Sequence, residues 1–236
     1  LFCLSCAHEL IYTDFHLQRE NEFERHFIGR TAIQRGTCMF IYQKETAIQQ
    51  LLHHLKYKSK PEIAYQLGIR YANIWTGADL PGADIDEVRN SLKELNEIAS
   101  KYSGIVSIEY KADTIFPDGE SLAILLTDLS HLKVLIDTGH AFALEEDVVH
   151  LIKNLHAKKL MGAMHLGDAL AGDSDADLPC GRIHDFSEII HTLSEINYSG
   201  TLNFDLYGAV IDENGPGPLS ILNESLQHMT SVMRDN

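Results

Sequence analysis

The sequence is short of cysteine, tryptophan, positive charge and long apolar runs, and each shortage narrows what the chain can be. Four cysteines in 236 residues are too few for a disulfide scaffold of this length, so a reducing, cytoplasmic setting is expected. Lys and Arg number 19 against 34 Asp and Glu, a formal net charge of −15. Nucleic-acid surfaces need clustered Lys and Arg, so this balance argues against a nucleic-acid partner. No apolar run approaches the ~20 residues of a membrane span, so no membrane partner is expected. The opening Leu1-Phe2-Cys3-Leu4-Ser5-Cys6 lacks the basic start and long apolar core of a signal peptide. The chain does not open on Met, which fits a truncated N-terminus. The single tryptophan, Trp75, either packs in a core or stacks on a ligand. The length suits one α/β domain or two small ones.

The most informative stretch is Leu135-Ile136-Asp137-Thr138-Gly139-His140. An apolar run buried on both faces reads as a parallel strand, and it delivers a carboxylate and an imidazole at its C-terminal end. In barrels that end carries the site. The competing reading is an Asp that caps the next helix and a His that packs. The neighbouring strands are built alike. Gly104 to Tyr110 delivers Glu109, Leu160 to Asp168 delivers His165, and Thr201 to Leu206 delivers Asp205. Three oxygen ligands and one imidazole suit a hard or borderline divalent ion: Mn²⁺, Mg²⁺, Co²⁺ or Zn²⁺. For Glu109 the alternative is a salt bridge to Lys111. Asp168 either orients a ligand from behind or caps a turn.

From about residue 69 onward, strands alternate with helices. Ile69 to Thr76 is predicted as a strand. Asp84 to Tyr102 has a helical apolar period and is closed by Gly104. Glu120 to Leu129 is predicted as a helix. So is a segment after the Asp137 strand with Glu145, Glu146 and Asp147 in its first turn, where the helix dipole favours them. A long polar loop, Ala169 to Gly181, precedes a helix over Asp185–Ile196 with Asp185 as N-cap. Pro218 to Met233 closes the chain as a helix. About five β/α units imply a parallel α/β arrangement. A closed barrel needs eight strands and usually ~250 residues, so the fold expected is a partial (β/α) TIM barrel made of its C-terminal units. The first 68 residues differ in style, with a CxxC pair at Cys3 and Cys6, a strand over Thr37–Tyr42 and an amphipathic helix over Ala47–Tyr57. The expected division is therefore 1–68, a small unrelated segment, and 69–236.

Residues 69–236 resemble the xylose-isomerase-like sugar isomerase and epimerase family. The resemblance is carried by Ile108-Glu109, Asp137-Thr138-Gly139-His140, His165-Leu166-Gly167-Asp168, Leu178-Pro179-Cys180-Gly181, Asp185-Phe186, Tyr198-Ser199-Gly200 and the strand to Asp205. It implies metal ligands at Glu109, Asp137, His165 and Asp205, and a His140 that contacts substrate oxygens. Three features depart from the family pattern. Asp205 stands where Glu is usual, Asp177 where His is frequent, and Arg182-Ile183-His184 where a second Gly usually follows. The family's first three β/α units have no counterpart in this reading. Residues 1–68 are similar instead to the start of ComF-type competence proteins, which are phosphoribosyltransferase-like. Cys3-Leu4-Ser5-Cys6, Thr13-Asp14-Phe15-His16-Leu17, Phe27-Ile28-Gly29-Arg30 and the run from Gln50 to Tyr57 carry that likeness, so the chain reads as composite.

The resemblance implies a metal-dependent isomerase or epimerase acting on a sugar or sugar phosphate. Glu109 and Asp205 would remove and return a proton through an enediolate, and His140 would steady an oxygen. The alternative is a non-catalytic remnant whose incomplete barrel leaves two open sheet edges, which a homo-oligomer would cover. Metal-dependent nuclease chemistry on a related barrel is disfavoured by the net charge.

Overall fold

In a computed structural model of the chain, the described residues are 68–75, 84–205 except 113, 175 and 177, and 217–235, with 17–21, 25 and 65. The chain divides into two compact units, Leu1–Arg70 and Tyr71–Asn236. The second holds β1 (Tyr71–Trp75), α1 (Ile85–Lys101), β2 (Ile105–Glu109), α2 (Gly119–Leu126), β3 (Leu132–Asp137), α3 (Thr138–Ala143), α4 (Val148–Ala157), β4 (Met161–Leu166), α5 (Ser187–Glu195), β5 (Leu202–Phe204) and α6 (Pro218–Asp235). The five strands form one sheet in chain order, and every neighbouring pair is parallel. Sequential order with helical crossovers makes a half-barrel, the partial (β/α) barrel expected. Among the described residues, no helix is long and apolar enough to cross a membrane.

Strand alternation divides the sheet into two faces. Val106, Ile108, Val134, Ile136, Met164 and Leu166 pack with Leu122 and Leu126 of α2, Ile152 and Leu155 of α4, and Ile189 and Leu193 of α5 in one core. Each such side chain contributes roughly 1.5–3 kcal/mol when fully buried. The residues between them, Ser107, Glu109, Lys133, Asp137 and His165, share the opposite face, which is where chemistry can be done. Aspartates start the helices. Asp84, Asp118 and Asp147 accept N–H bonds from Asp86, Ser121 and His150 at 2.8, 2.7 and 2.9 Å.

Several boundaries differ from expectation. The left-handed residue closing α1 is Ser103 (φ 51°), while Gly104 donates its N–H to Ala99 O at 2.8 Å. Two helices follow β3 instead of one. Glu145 turns the chain with φ 58°, and Asp147 caps α4, so Glu145 and Glu146 lie between the helices. Asp185 does not cap α5 directly; its Oδ1 accepts the Ser187 N–H at 2.9 Å, and Phe186 holds the cap position. α2 ends three residues early, at Leu126. The strand expected over Thr37–Tyr42, the helix over Ala47–Tyr57, and Cys3 and Cys6 fall outside the described residues.

Candidate metal centre

Register decides which strand ends meet. Asp137 lies directly beside His165. Glu109 pairs with Leu135, two positions below Asp137, and His165 pairs with Asn203, two positions below Asp205. Such stagger accompanies the strand tilt of a barrel. Glu109 has one methylene more than Asp, which lets it reach up to the level of Asp137. Asp205 follows β5, and its N–H donates to Leu166 O at 3.1 Å. The four residues expected as metal ligands therefore converge. One ligand atom from each of Glu109, Asp137, His165 and Asp205 falls within 4.8 Å of the others.

His165 Nδ1 lies at the centre of the group. It is 3.5 Å from Glu109 Oε1, 3.7 Å from Asp137 Oδ2 and 3.7 Å from Asp205 Oδ2. It is buried and, among the described residues, makes no hydrogen bond of good geometry. These separations exceed good hydrogen bonds and match the spacing of ligand atoms around one ion at roughly 2.1 Å from each. Burial first, and then the nearby Glu109 carboxylate, push the Asp137 carboxyl up to about 7. Burial alone would lower His165, but its contact with Glu109 and the charges of Asp137 and Asp205 outweigh this and raise it. Crowded carboxylates around an unsatisfied imidazole nitrogen are what a divalent cation would relieve, so the donor set fits one.

Asp137 satisfies both of its sequence readings. Its Oδ1 accepts the His140 N–H at 3.1 Å, capping α3, and its Oδ2 faces His165. His140 packs against the site as well as lining it, with Nε2 3.5 Å from Glu109 Oε1. A Cβ at Gly139 would stand 3.2 Å from Asp137 Oδ1, so the carboxylate would have to give by a few tenths of an ångström.

Two supports escaped the sequence reading. Thr138 Oγ1 donates to Gly167 O at 2.6 Å and accepts the Gly167 N–H at 3.0 Å, tying the ends of β3 and β4 together. Its place beside Asp137 was the available signal. Tyr110, fully buried, donates to Glu146 Oε2 at 2.6 Å, and Glu146 Oε1 accepts the Gly119 N–H at 3.2 Å. This pair fixes the chain as it leaves Glu109. No local pattern links two residues 36 positions apart.

Asp168 follows the turn-capping one of its two readings. Its fully buried carboxylate accepts N–H bonds from Ala169, Ile183 and His184 at 2.9, 2.8 and 3.0 Å, and His184 Nδ1 lies 2.7 Å from Oδ1. It clamps the polar loop instead of orienting a ligand. The departing segment Arg182-Ile183-His184 is what it clamps, with the His184 ring stacked on Phe142 at 3.9 Å. Trp75 is 56% exposed and lies beside Glu109 in the register, so it is not core. Asp177 falls outside the described residues.

The family model of the xylose isomerase-like TIM barrel matches residues 48–232. Among solved structures, a D-tagatose 3-epimerase-like protein is similar at 19% identity and a TM-score of 0.60, over 79% of this chain and 72% of that one. A 3-keto-D-glucoside 4-epimerase from E. coli is similar at 15% identity and 0.58, over 82% and 74%. D-psicose 3-epimerase from Clostridium cellulolyticum is similar at 14% identity and 0.57, over 81% and 73%. At these identities the likeness is one of fold. No curated protein matches the sequence. The family match begins at residue 48, within the stretch 1–68 that the sequence reading set apart. Its span of 48–232, over a sheet whose strand ends converge in this way, means that the chain belongs to the xylose isomerase-like TIM barrel family.

Proposed function

We propose that this chain is a metal-dependent isomerase or epimerase of a sugar or sugar phosphate, working by proton transfer at the carbon beside a carbonyl. The observation that carries the reading is the convergence of four potential ligand atoms, from four successive strand ends, within 4.8 Å. Glu109, Asp137, His165 and Asp205 would hold the ion. A divalent ion bound there supplies Lewis-acid polarisation of a carbonyl and its neighbouring hydroxyl.

The protein groups divide the remaining work. Asp137 and His165, side by side on the adjacent strands β3 and β4, serve as anchors. Glu109 and Asp205 come from β2 and β5, on either side of that pair. One removes the substrate proton and the other returns it, through an enediolate. His140, capped onto Asp137 and close to Glu109, steadies a substrate oxygen. Likeness to epimerases of ketoses supports a small carbohydrate as substrate, by analogy of fold alone. The test is metal analysis of the purified chain, followed by incubation of ketoses with metal-loaded protein in D₂O. Deuterium entering the carbon beside the carbonyl is expected. A folded chain that takes up no divalent ion, or a loaded one that exchanges no proton, defeats the reading.

A non-catalytic chain is the second reading, and one observation favours it: all five residues of β1 are exposed. An exposed edge invites pairing with another chain, and an open site is wetter and electrostatically weaker. The ComF-type likeness of residues 1–68 belongs with this reading. A cooperative melt and a defined size on gel filtration would count against it.

A further inference from the structure

At the other end of the same sheet lies a cavity of about 730 Å³ that the proposed chemistry does not use. Among the described residues its lining includes Lys133, His156 and Lys159, the hydroxyl-bearing Ser107 and Ser199, and no Asp or Glu, in a chain whose net charge is −15. Lys133 leaves β3 four residues before Asp137, so the two are ~13 Å apart along the strand. This is a separate place.

Lys133 is the group that asks for a partner. Its Nζ donates to Lys159 O at 2.6 Å, which uses one of the three donors of an ammonium. Partial burial pushes its pKa down, and among the described residues no carboxylate offsets that. A bound anion would supply the counter-charge that this ammonium lacks there. Lys159, held next to it with φ 59°, adds positive charge at the rim, and the imidazole of His156 adds a ring N–H donor.

We propose that this cavity binds a small phosphate-bearing ligand, with Lys133 as its central cation and Lys159 and His156 closing around the phosphate oxygens. Phosphate oxygens match ammonium donors as point charges, and the volume lies in the range of small-molecule pockets. The inference is independent of the proposed reaction, because it shares no residue with the acidic end.

The test titrates inorganic phosphate into the full chain by calorimetry at fixed ionic strength, with and without EDTA. One saturable site is expected in both conditions. Lys133→Met should weaken it at least tenfold, Lys159→Gln severalfold, and Lys153→Gln, on the exposed side of α4, not at all. An unchanged cooperative melt in Lys133→Met shows that the variant is folded. Should that variant lose metal and structure, Lys159→Gln decides alone, and an unchanged affinity there overturns the proposal. So does wild-type protein that shows no saturable binding. Phosphate binding that disappears with EDTA and survives Lys133→Met would belong to the metal end, and would overturn the proposal as well.

Discussion

The C-terminal ends of β2 to β5 crowd three carboxylates around one imidazole, whereas the N-terminal end of β3 sets an ammonium beside a cavity with no carboxylate among the described residues of its lining. The same alternation builds both, since Lys133 and Asp137 are four residues apart on one face of one strand. The helix-covered face is neutral, apolar and closed. The open face carries uncompensated charge of opposite sign at its two ends. A fold gains nothing from charge it does not pair: the Asp137 carboxyl is pushed up to about 7, and Lys133 is pushed down by burial. Each end makes physical sense as a place where something else supplies the missing charge.

The largest expected effect comes from removing an anchor at the acidic end. Asp137→Asn should reduce divalent-metal affinity roughly a hundredfold or more, beyond the ten- to hundredfold typical of losing an outer-shell partner. It keeps an oxygen to cap α3, so the metal-free melting temperature should hold or rise, because a crowded carboxylate has gone. Asp137→Ala should show the same metal loss plus about 1 kcal/mol of lost cap. Metal titration and thermal melts of the two variants separate the two jobs of one carboxylate. If both lose metal and stability equally, those jobs are not separable.

Changing pH tests the same end without mutation. The folded chain holds the Asp137 proton up to about 7 against an ordinary 3.8, so the native state binds the extra proton between those values. Stability of metal-free protein should therefore fall as pH rises from about 4 to about 7. His165, raised from its ordinary 6.5, adds stability that is fully present below 6.5 and lost as pH rises through its folded value. The two act in the same direction. Metal binding must displace the Asp137 proton, so affinity should rise by up to about tenfold per pH unit below 7. Melts from pH 5 to 8, with and without divalent ion, should diverge as pH rises. Parallel curves would mean that the acidic end needs no cation.

A smaller effect sharpens the site itself. The Asp205 side chain is 30% exposed and one methylene shorter than the Glu usual in the family this chain resembles. Asp205→Glu should raise turnover roughly tenfold if the reacting carboxylate is about 1 Å short of its best position. Deuterium exchange into ketoses measures it. Lower exchange with tighter metal binding would mean that the shorter side chain is the better base here.

How much of this was legible beforehand follows from range of interaction. Glu109, Asp137, His165 and Asp205 could be read because a parallel strand fixes side-chain direction by period alone, and each residue ends an apolar run. Asp84 as the start of α1 was legible for the same local reason. The break between α3 and α4 was not, because it depends on Glu146 turning back to Tyr110 across 36 positions. Which of its two readings Asp168 follows was not legible, because its partners, Ile183 and His184, come after a loop with no periodic signal. Lys133 drew no attention because a lone lysine in a strand says nothing until its neighbours in space are known.

The smallest expected effect separates supporting residues from site residues. Tyr110→Phe leaves Glu146 with only the Gly119 N–H, and should cost about 1–2 kcal/mol. In a chain of this size that lowers the melting temperature by roughly 2–8 °C. Removing the hydroxyl also takes away a bond that lowers the Glu146 pKa, so the loss should be greatest above the ordinary carboxylate range and shrink as Glu146 takes up a proton. Glu146→Gln should cost a similar amount, and the double variant less than the sum, since the two share one interaction. Metal affinity should change by no more than about threefold, because Tyr110 touches no ligand atom and acts only through the backbone after Glu109. If Tyr110→Phe weakens metal binding as strongly as Asp137→Asn does, the position of Glu109 depends on this buried pair, and the acidic end extends one layer deeper into the core than its four ligands.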